Sequence, residues 1–417
     1  MRILFIIPYM PNLIRVRSYN LLRSLADRGH QVTLLTLAQD EAEADQASAL
    51  ADCCEQTIVL PISRWRSLWN CLVALPSSTP LQSVYSWQPA LAGRTATLVN
   101  GNNGHPSFDV VHVEHLRGAR YGLYVKNLSE NGSHRLPIIW DSVDCITSLF
   151  EQATNQSQSL FGRWVTRLEL SRTRGYEGYL VNQFERVLVT SPADKRALAT
   201  LASSAKQQPA ITVLSNGVDL DYFRPAPEME REPATLVVSG KMSYHANVTM
   251  VLHLVRDILP RVWQRRPEVK LIVVGKDPPL AVRKLAEHPA VTVTGLVEDM
   301  RPYLQRASTA VVPLTYSAGI QNKVLEAMAC STPVIASPQA ARALSAESDR
   351  DLLVAHDAPE FSARILELLD DPDRQLSLGA QGRDYVESYH NWKTIAVRLE
   401  DIYRSAARQS RLKSTEQ

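Results

Sequence analysis

The stretch from residue 310 to residue 336 leaves the chain few folds to choose from. An apolar run, Ala310-Val311-Val312-Pro313-Leu314, comes first, and a second, Pro333-Val334-Ile335-Ala336, closes it. Between them lies Ala318-Gly319-Ile320-Gln321-Asn322-Lys323, and then Val324, Leu325 and Met328 at helical spacing. Strand, glycine turn, helix and strand in that order predict a parallel pair joined by a crossover helix. The helix is expected to start near Gln321, with its first N–H groups unpaired and its dipole positive at that end. Such an end suits a phosphate. Gly319 lets the backbone approach a ligand closely. Ile320, Gln321 and Asn322 complete the candidate loop, and Lys323 adds a point charge within a turn of it. Glu326 lies about one turn further in. An ionised carboxylate only accepts hydrogen bonds, so it can hold two neighbouring hydroxyls such as those of a ribose. The alternative is an ordinary βαβ crossover with a solvated lysine and glutamate.

The N-terminal end shows the same alternation. Residues 3–7 are a continuous apolar run, as in a strand buried on both faces of a parallel sheet. Residues 8–12 read as a loop. Residues 17–28 read as a helix with Leu21, Leu22 and Leu25 on one face and Gly29 as its C-cap, and residues 32–37 as the next strand. This predicts a doubly wound sheet. The fingerprint G-x-G-x-x-G is absent after the first strand, which argues against a nicotinamide or flavin enzyme. Ligands of open α/β sheets lie beyond the carboxyl ends of the strands. Arg15 and Arg17 are expected there, either meeting a substrate or lying as surface arginines before the helix.

Further strands are expected at residues 57–60, 110–113, 138–140 and 187–190, three of them ending in polar residues: Glu114 and His115, Asp141-Ser142-Val143-Asp144, and Ser191. Asp141 and Asp144 can act as base or electrostatic stabiliser, with His115 lining the same cleft. The alternative is that Asp141, Ser142 or Asp144 caps a helix over residues 146–150 and that His115 is structural.

A strand at 211–214 leads into Asn216-Gly217-Val218-Asp219 and a turn-rich polar segment, where a domain boundary is expected at residue 225. A fresh α/β pattern follows, with strands at 235–239, 270–274 and 291–294 and a helix at 248–259. Gly240-Lys241-Met242 follows the first of these strands and Gly295-Leu296-Val297 the third. Lys241 is expected on the same sheet edge as Gly319 and Lys323. Two lysines converging on a diphosphate neutralise charge on a leaving group, as a metal does elsewhere. Taken alone, Lys241 reads equally as a solvated turn lysine. A helix at 360–369, a last helix carrying Ile395, Leu399 and Ile402 on one face, and a disordered tail from residue 408 complete the expectation.

The formal net charge is +2 with both signs mixed throughout, so nothing marks a nucleic-acid binder. The five cysteines make no C-x-x-C pair and no metal-ligand spacing, which suits a reducing cytoplasm. The opening apolar run is too short for a signal-peptide core, and no stretch approaches the roughly 20 apolar residues of a spanning helix. A soluble or peripheral protein is expected. Two segments mix base with aromatic: Arg64-Trp65-Arg66-Ser67-Leu68-Trp69 and Arg163-Trp164-Val165-Thr166-Arg167. Such patches can touch an anionic membrane surface. The alternative is a solvated helix face with one buried tryptophan.

Two Rossmann-like halves, the second with nucleotide features, resemble the GT-B glycosyltransferases, and most closely the retaining enzymes of glycosyltransferase family 4. The resemblance rests on the opening through Arg28-Gly29-His30, on Asn216-Gly217-Val218-Asp219, on Leu325-Glu326-Ala327-Met328-Ala329 with Thr332-Pro333-Val334-Ile335, and on Tyr389-His390-Asn391-Trp392. It implies an α/β chain of two doubly wound domains facing a cleft: residues 1–225 for the acceptor, 226–388 for the nucleotide-sugar donor, and 389–417 as a helix crossing back to the first. It implies that Glu326 holds the ribose, that Lys241 and Lys323 hold the phosphates beside Gly240, and that Leu296 and Val297 meet the base through backbone groups. Asp141, Lys241 and Lys323 are then the catalytic candidates, and Arg15, Arg17, His115 and Asp144 the acceptor-side ones.

The chain departs from the family pattern in several places. Ala318 stands where a first glutamate is common, and Asn247 where the phosphate pair has its second base. Asn12-Leu13-Ile14 replaces a glycine pair, and Asp141 stands where a histidine is frequent. These changes resemble a subgroup linked to exopolysaccharide assembly. The expected activity is metal-independent, cofactor-free transfer of a sugar from a nucleoside-diphosphate donor to a glycan or lipid-linked acceptor, with retention, in the cytoplasm or at the inner face of the membrane. A nucleotide-sugar epimerase and a non-catalytic nucleotide-sugar binder are the other readings.

Overall fold

A computed structural model describes residues 1–12, 16–100, 108–130, 135–156, 160–202, 210–316 and 319–415. The chain divides into two compact units: Met1–Leu214 with Trp392–Gln417, and Ser215–Asn391. The first divide falls ahead of the expected residue 225 because the Asn216 segment is tied into the second unit. The Val218 amide donates to the His390 carbonyl at 2.8 Å, and a His390 ring nitrogen lies 2.6 Å from the Asn216 carbonyl oxygen.

The first unit is built on a seven-stranded sheet. Its strands are β1 (Arg2–Ile7), β2 (Gln31–Ala38), β3 (Gln56–Pro61), β4 (Val110–Glu114), β5 (Ile138–Val143), β6 (Arg186–Val189) and β7 (Ile211–Val213), in the order β3-β2-β1-β4-β5-β6-β7 with every pair parallel. Parallel strands need crossovers, and helices cover both faces, so the strands carry unbroken apolar runs. On one face, α1 (Val16–Asp27) buries Leu21, Leu22 and Leu25 with Ile3, Phe5 and Ile7. Gly29, at φ +80°, ends the turn after it. On the other side α2 (Arg64–Ala74) packs on α3 (Leu81–Tyr85) and α3 on α4 (His115–Glu130), while α4, α5 (Ile146–Gln156) and α6 (Leu160–Leu180) contribute to the core around Leu4, Ile6, Val111, Val113 and Trp140.

The second unit has a six-stranded sheet of β8 (Glu232–Ser239), β9 (Lys270–Val274), β10 (Val291–Gly295), β11 (Ala307–Val312), β12 (Val334–Ala336) and β13 (Leu353–Val354). The order is β10-β9-β8-β11-β12-β13, again all parallel. The expected helix at 248–259 is three pieces: α7 (His245–His253), a π-helical turn Leu254–Ile258, and Leu259–Trp263. Pro260 has no N–H to continue a regular ladder, and the wider turn absorbs that break. The glycine-turn helix is α8 (Asn322–Ala329), which sinks Val324, Leu325 and Met328 into the core. An 18-residue helix, α9 (Pro372–Tyr389), was not expected. Its two glycines and mixed pattern hide it, yet a side chain at position 379 would collide with the Ser331 carbonyl oxygen at 2.1 Å.

The last helix, α10 (Trp392–Thr415), packs Trp392, Ile395, Leu399 and Tyr403 against the α1 face of the first unit. It runs through the segment expected to be a disordered tail. Buried Ser410 donates to the Arg135 carbonyl oxygen at 2.7 Å, which anchors that end. Residues 13–15, including Arg15, lie outside the described residues, as does Ala318.

Candidate active site

Strand order reverses at one place in each sheet, and a crevice forms there outside the strand ends. In the second unit the reversal lies between β8 and β11. β8 ends in Gly240, at φ +147°, whose missing side chain leaves room for Asn247 and Lys323. A Cβ there would stand 2.8 Å from the Asn247 amide nitrogen and 3.3 Å from Cε of Lys323. The sequence motif after β8 and the one after β11 therefore meet. Lys241 is exposed just beyond the strand. The Asn247 side-chain amide donates to the Lys241 carbonyl at 2.9 Å, while its buried Oδ1 has no hydrogen-bond partner among the described residues. The β9 end lies equally close: a Cβ at Gly275 would stand 1.8 Å from the Gly240 carbonyl oxygen.

From β11 the chain turns through Gly319, at φ +59°, and buried Ile320 into Gln321, whose extended backbone precedes α8. The Gln321 side chain makes no capping hydrogen bond to this helix, whose leading N–H groups lie at the turn. Lys323 Nζ donates to Gln321 Oε1 at 3.1 Å, and buried Oδ1 of Asn322 has no partner among the described residues. Burial pushes the Lys323 ammonium down to about 8, against the pull of Glu326. Burial pushes the Glu326 carboxyl up to about 7, against the pull of Lys323. An anion arriving beside Lys323 offsets the first cost, and hydroxyls donating to Glu326 offset the second. Leu296, beyond β10, is 77% exposed, and Val297 is half-buried against the core.

Two residues not singled out from the sequence straddle the same reversal. His245 opens α7 and Tyr316 follows β11. Their rings stack at 5.3 Å, and a ring nitrogen of His245 is hydrogen-bonded to the Tyr316 hydroxyl. Both stand a few residues past a strand end, which is the only sequence signal they carry.

In the first unit the reversal lies between β1 and β4. Here the expected roles change. Asp141 was expected to face a cleft, but β5 runs on to Val143 and Asp141 has no exposure. Its Oδ2 accepts from Arg17 Nε at 2.8 Å, and Arg17 Nη2 lies 2.7 Å away. Arg17, expected at a substrate, is buried and also donates to the Leu214 carbonyl at 3.0 Å. Burial alone would raise the Asp141 carboxyl. The Arg17 charge, with His112 at 3.6 Å, holds it below the usual range instead. The other ring nitrogen of His112 lies 2.8 Å from the Tyr403 hydroxyl of α10. The four residues form a buried chain that fastens α10 to the sheet.

Nor do Asp141, Ser142 or Asp144 cap α5. Its leading amides go to Glu177, which accepts from Ile146 and Thr147 at 2.9 Å each, while Asp194 takes the Cys145 amide at 3.0 Å. Asp144 is half-buried and accepts from Thr190 at 3.1 Å. Burial and then Asp194 push it up to about 7. His115 sits at φ +66° at the head of α4, edge-on to Tyr9 with ring centroids 6.2 Å apart. The carboxylate nearest the reversal is Glu114, noted at a strand end but not chosen from sequence. It accepts from Ser18 at 2.6 Å and from Tyr9, and its Oε2 has no partner among the described residues. Burial, then the neighbouring Asp141 charge, raises its pKa. Nearby, a cavity of about 300 Å³ is lined by Cys71, Leu81, Gln82, Tyr85, Arg117, Ile146, Leu149 and Phe150.

The comparisons agree with this geometry. Residues 14–222, half the chain, match the model of Glycosyltransferase Family 4, and residues 233–371 match that of Glycosyl transferases group 1. A GDP-mannose-dependent monoacylated alpha-(1-6)-phosphatidylinositol monomannoside mannosyltransferase from Corynebacterium glutamicum is 30% identical over 231 residues, which are 51% of this chain and 60% of that enzyme. The chain thus spans less than two thirds of that relative's length. Sucrose-phosphate synthase from Thermosynechococcus elongatus superposes with a TM-score of 0.70 at 20% identity, covering 97% of this chain and 99% of that one. Anabaena HepE, in complex with UDP and glucose, gives a TM-score of 0.67 at 14% identity over 97% of this chain and 100% of that one. Two all-parallel doubly wound sheets, a glycine-turn helix at the second reversal and a family model matched over the first unit lead to one assignment: the chain belongs to glycosyltransferase family 4 and has the two Rossmann-like domains of the GT-B fold.

Proposed function

We propose that this protein transfers a sugar from a nucleoside-diphosphate donor to a glycan or lipid-linked acceptor, with retention, in polysaccharide or glycoconjugate biosynthesis. The observation that carries the reading is the close approach of Gly240 to Asn247 and Lys323 at the β8–β11 reversal. A diphosphate fits the α8 N-terminus between Lys241 and Lys323, with Asn247 in reach of the same group. Glu326 takes the ribose hydroxyls, and the backbone at Leu296 and Val297 takes the base. The lysines supply the charge that stabilises the departing diphosphate, so no metal or further cofactor is invoked. On the acceptor side, Glu114, His115 and Asp144 are the polar groups at the strand ends, and the cavity beside Arg117 suits an amphiphile. Asp141 and Arg17 position the sheet edge rather than touch substrate.

A lipid-linked acceptor accords with the phosphatidylinositol named for the Corynebacterium relative. Five free thiols accord with a cytoplasmic enzyme. No described helix is long and apolar enough to cross a membrane, so contact with the inner face is peripheral in this reading. The test is a thermal-shift screen against GDP, UDP, ADP and their sugars, followed by donor hydrolysis without acceptor. Stabilisation by one nucleotide family with slow hydrolysis supports a transferase. Stabilisation without turnover favours a binder, the reading that Ala318 motivates. No shift with any nucleotide overturns the proposal.

The site also fixes a pH profile. Glu326 is a carboxylate only above its raised value of about 7. Lys323 is an ammonium only below its lowered value of about 8. Donor affinity is therefore expected to peak between pH 7 and 8 and to fall on both sides, approaching a decade per pH unit at the limits. Calorimetry across pH checks this, and a flat profile from pH 6 to 9 removes both residues from the donor site.

A further inference from the structure

The helix α2 is inside out. Its inward side is small or polar: Ser67 and Ala74 are buried, Asn70 donates to the Trp87 carbonyl at 2.8 Å, and the Cys71 thiol faces the Leu81 carbonyl at 3.8 Å. Its outward side is large and apolar. Trp65 is 82% exposed and Trp69 59%, with Leu68, Leu72, Val73 and, just past the end, Leu75 exposed beside them. A surface helix of a globular domain carries the reverse pattern. For this segment the alternative of one buried tryptophan is overturned, since both are exposed, whereas Trp164 of the second basic aromatic segment lies outside the described side chains. The face is rigid at both ends: Ser63 caps the first turn by accepting from the Arg66 amide at 3.1 Å, and Arg172 of α6 donates to the Leu75 carbonyl.

We propose that this face is the docking element for an anionic lipid bilayer, lying in the plane of the interface with its tryptophans among the headgroups. Charge and composition select the occupant. Residues 61–80 carry Arg64 and Arg66 and no carboxylate, and Arg64 is exposed beside Trp65. Tryptophan and leucine on one side with arginine at the rim are what an interfacial helix presents to anionic lipid. A protein partner usually meets about one hydrogen-bonding group per 100–200 Å² of interface. The exposed side chains from Leu68 to Pro76 offer one, the indole N–H of Trp69, which a headgroup can accept. The cavity beside Arg117 is lined in part by Cys71 of this helix, which places it next to the docking face. The inference deepens the lipid-linked reading of the acceptor and rests on it for its purpose.

The test uses the full chain without donor or acceptor, sedimented with phosphatidylcholine vesicles that contain or lack phosphatidylglycerol. The wild type is expected to partition onto the anionic vesicles. Trp65→Ser with Trp69→Ser should lose about tenfold or more of that partitioning. Its melting temperature should hold, since both side chains are exposed. Arg64→Glu should lose about fivefold on anionic vesicles and nothing on neutral ones. Equal partitioning of wild type and double variant overturns the proposal, as does a wild type that stays in solution. Self-association that the double variant abolishes, without vesicle binding, overturns it in favour of a second copy. Vesicle binding in a protein that no nucleotide stabilises keeps the docking face and overturns only the transferase reading.

Discussion

Arg17→Ala is expected to destabilise the first unit by about 3–5 kcal/mol, the usual cost of stranding one member of a buried ion pair. The guanidinium donates Nε to Asp141, with Nη2 2.7 Å from the same oxygen, and donates Nη1 to the Leu214 carbonyl, and neither Arg17 nor Asp141 has appreciable exposure. Without the arginine, only His112 still opposes burial and the adjacent Glu114 charge, so the Asp141 carboxyl should rise. The sign of the pH dependence follows. In the wild type the folded-state value lies below the unfolded one, so the pair's contribution is full above the ordinary aspartate range and is lost as pH falls through the folded value. Arg17→Ala should shrink that acid-side loss, which only His112 then sustains. Urea unfolding across pH measures both effects. Arg17→Met combined with Asp141→Leu should recover much of the stability, because neither member of the pair is then left charged without its partner. Stability of Arg17→Ala within about 0.5 kcal/mol of the wild type would remove the pair from the account of how α10 is held.

Glu326→Gln keeps the shape of the side chain and should weaken donor binding about tenfold or more. Hydrogen bonds to a charged acceptor contribute about 1.5–3 kcal/mol each, and the amide gives up the charge and one accepting oxygen. A second consequence separates this from a merely structural loss. Glu326 is the one charge that raises Lys323 against its burial. The glutamine variant should therefore lower Lys323 further, and the alkaline limb of the donor-affinity profile should move below pH 8. Calorimetry that finds unchanged affinity, or a weakened affinity with the alkaline limb in place, would take the ribose role or the coupling away from Glu326.

How much of this was legible in the residues alone depends on range. The strands from β1 to β12 were, because parallel strands covered on both faces leave unbroken apolar runs. So was α8, because its glycine, its apolar spacing and its Lys323 and Glu326 all fall between residues 319 and 328. The resemblance to family 4 was legible for the same reason, since its motifs are local. What failed was local in appearance and distant in cause. Asp141 at a strand end reads as a cleft residue. Only the tertiary structure brings Arg17 from α1, His112 from β4 and Tyr403 from α10 to it, across separations of up to 291 residues, the Tyr403–His112 pair being the widest. The caps of α5 come from Glu177 and Asp194, which no window around residue 146 contains. Glu114, not Asp141, is the carboxylate at the first unit's strand reversal for a topological reason: β4, not β5, borders it. The α2 tryptophans were visible as a basic aromatic segment, but the side on which a helix buries its small residues is decided by what packs beneath it. Sequence determines the periodicity of an element and the chemistry along it. Packing decides which of its charges meet, which are buried, and which apolar face is left outward.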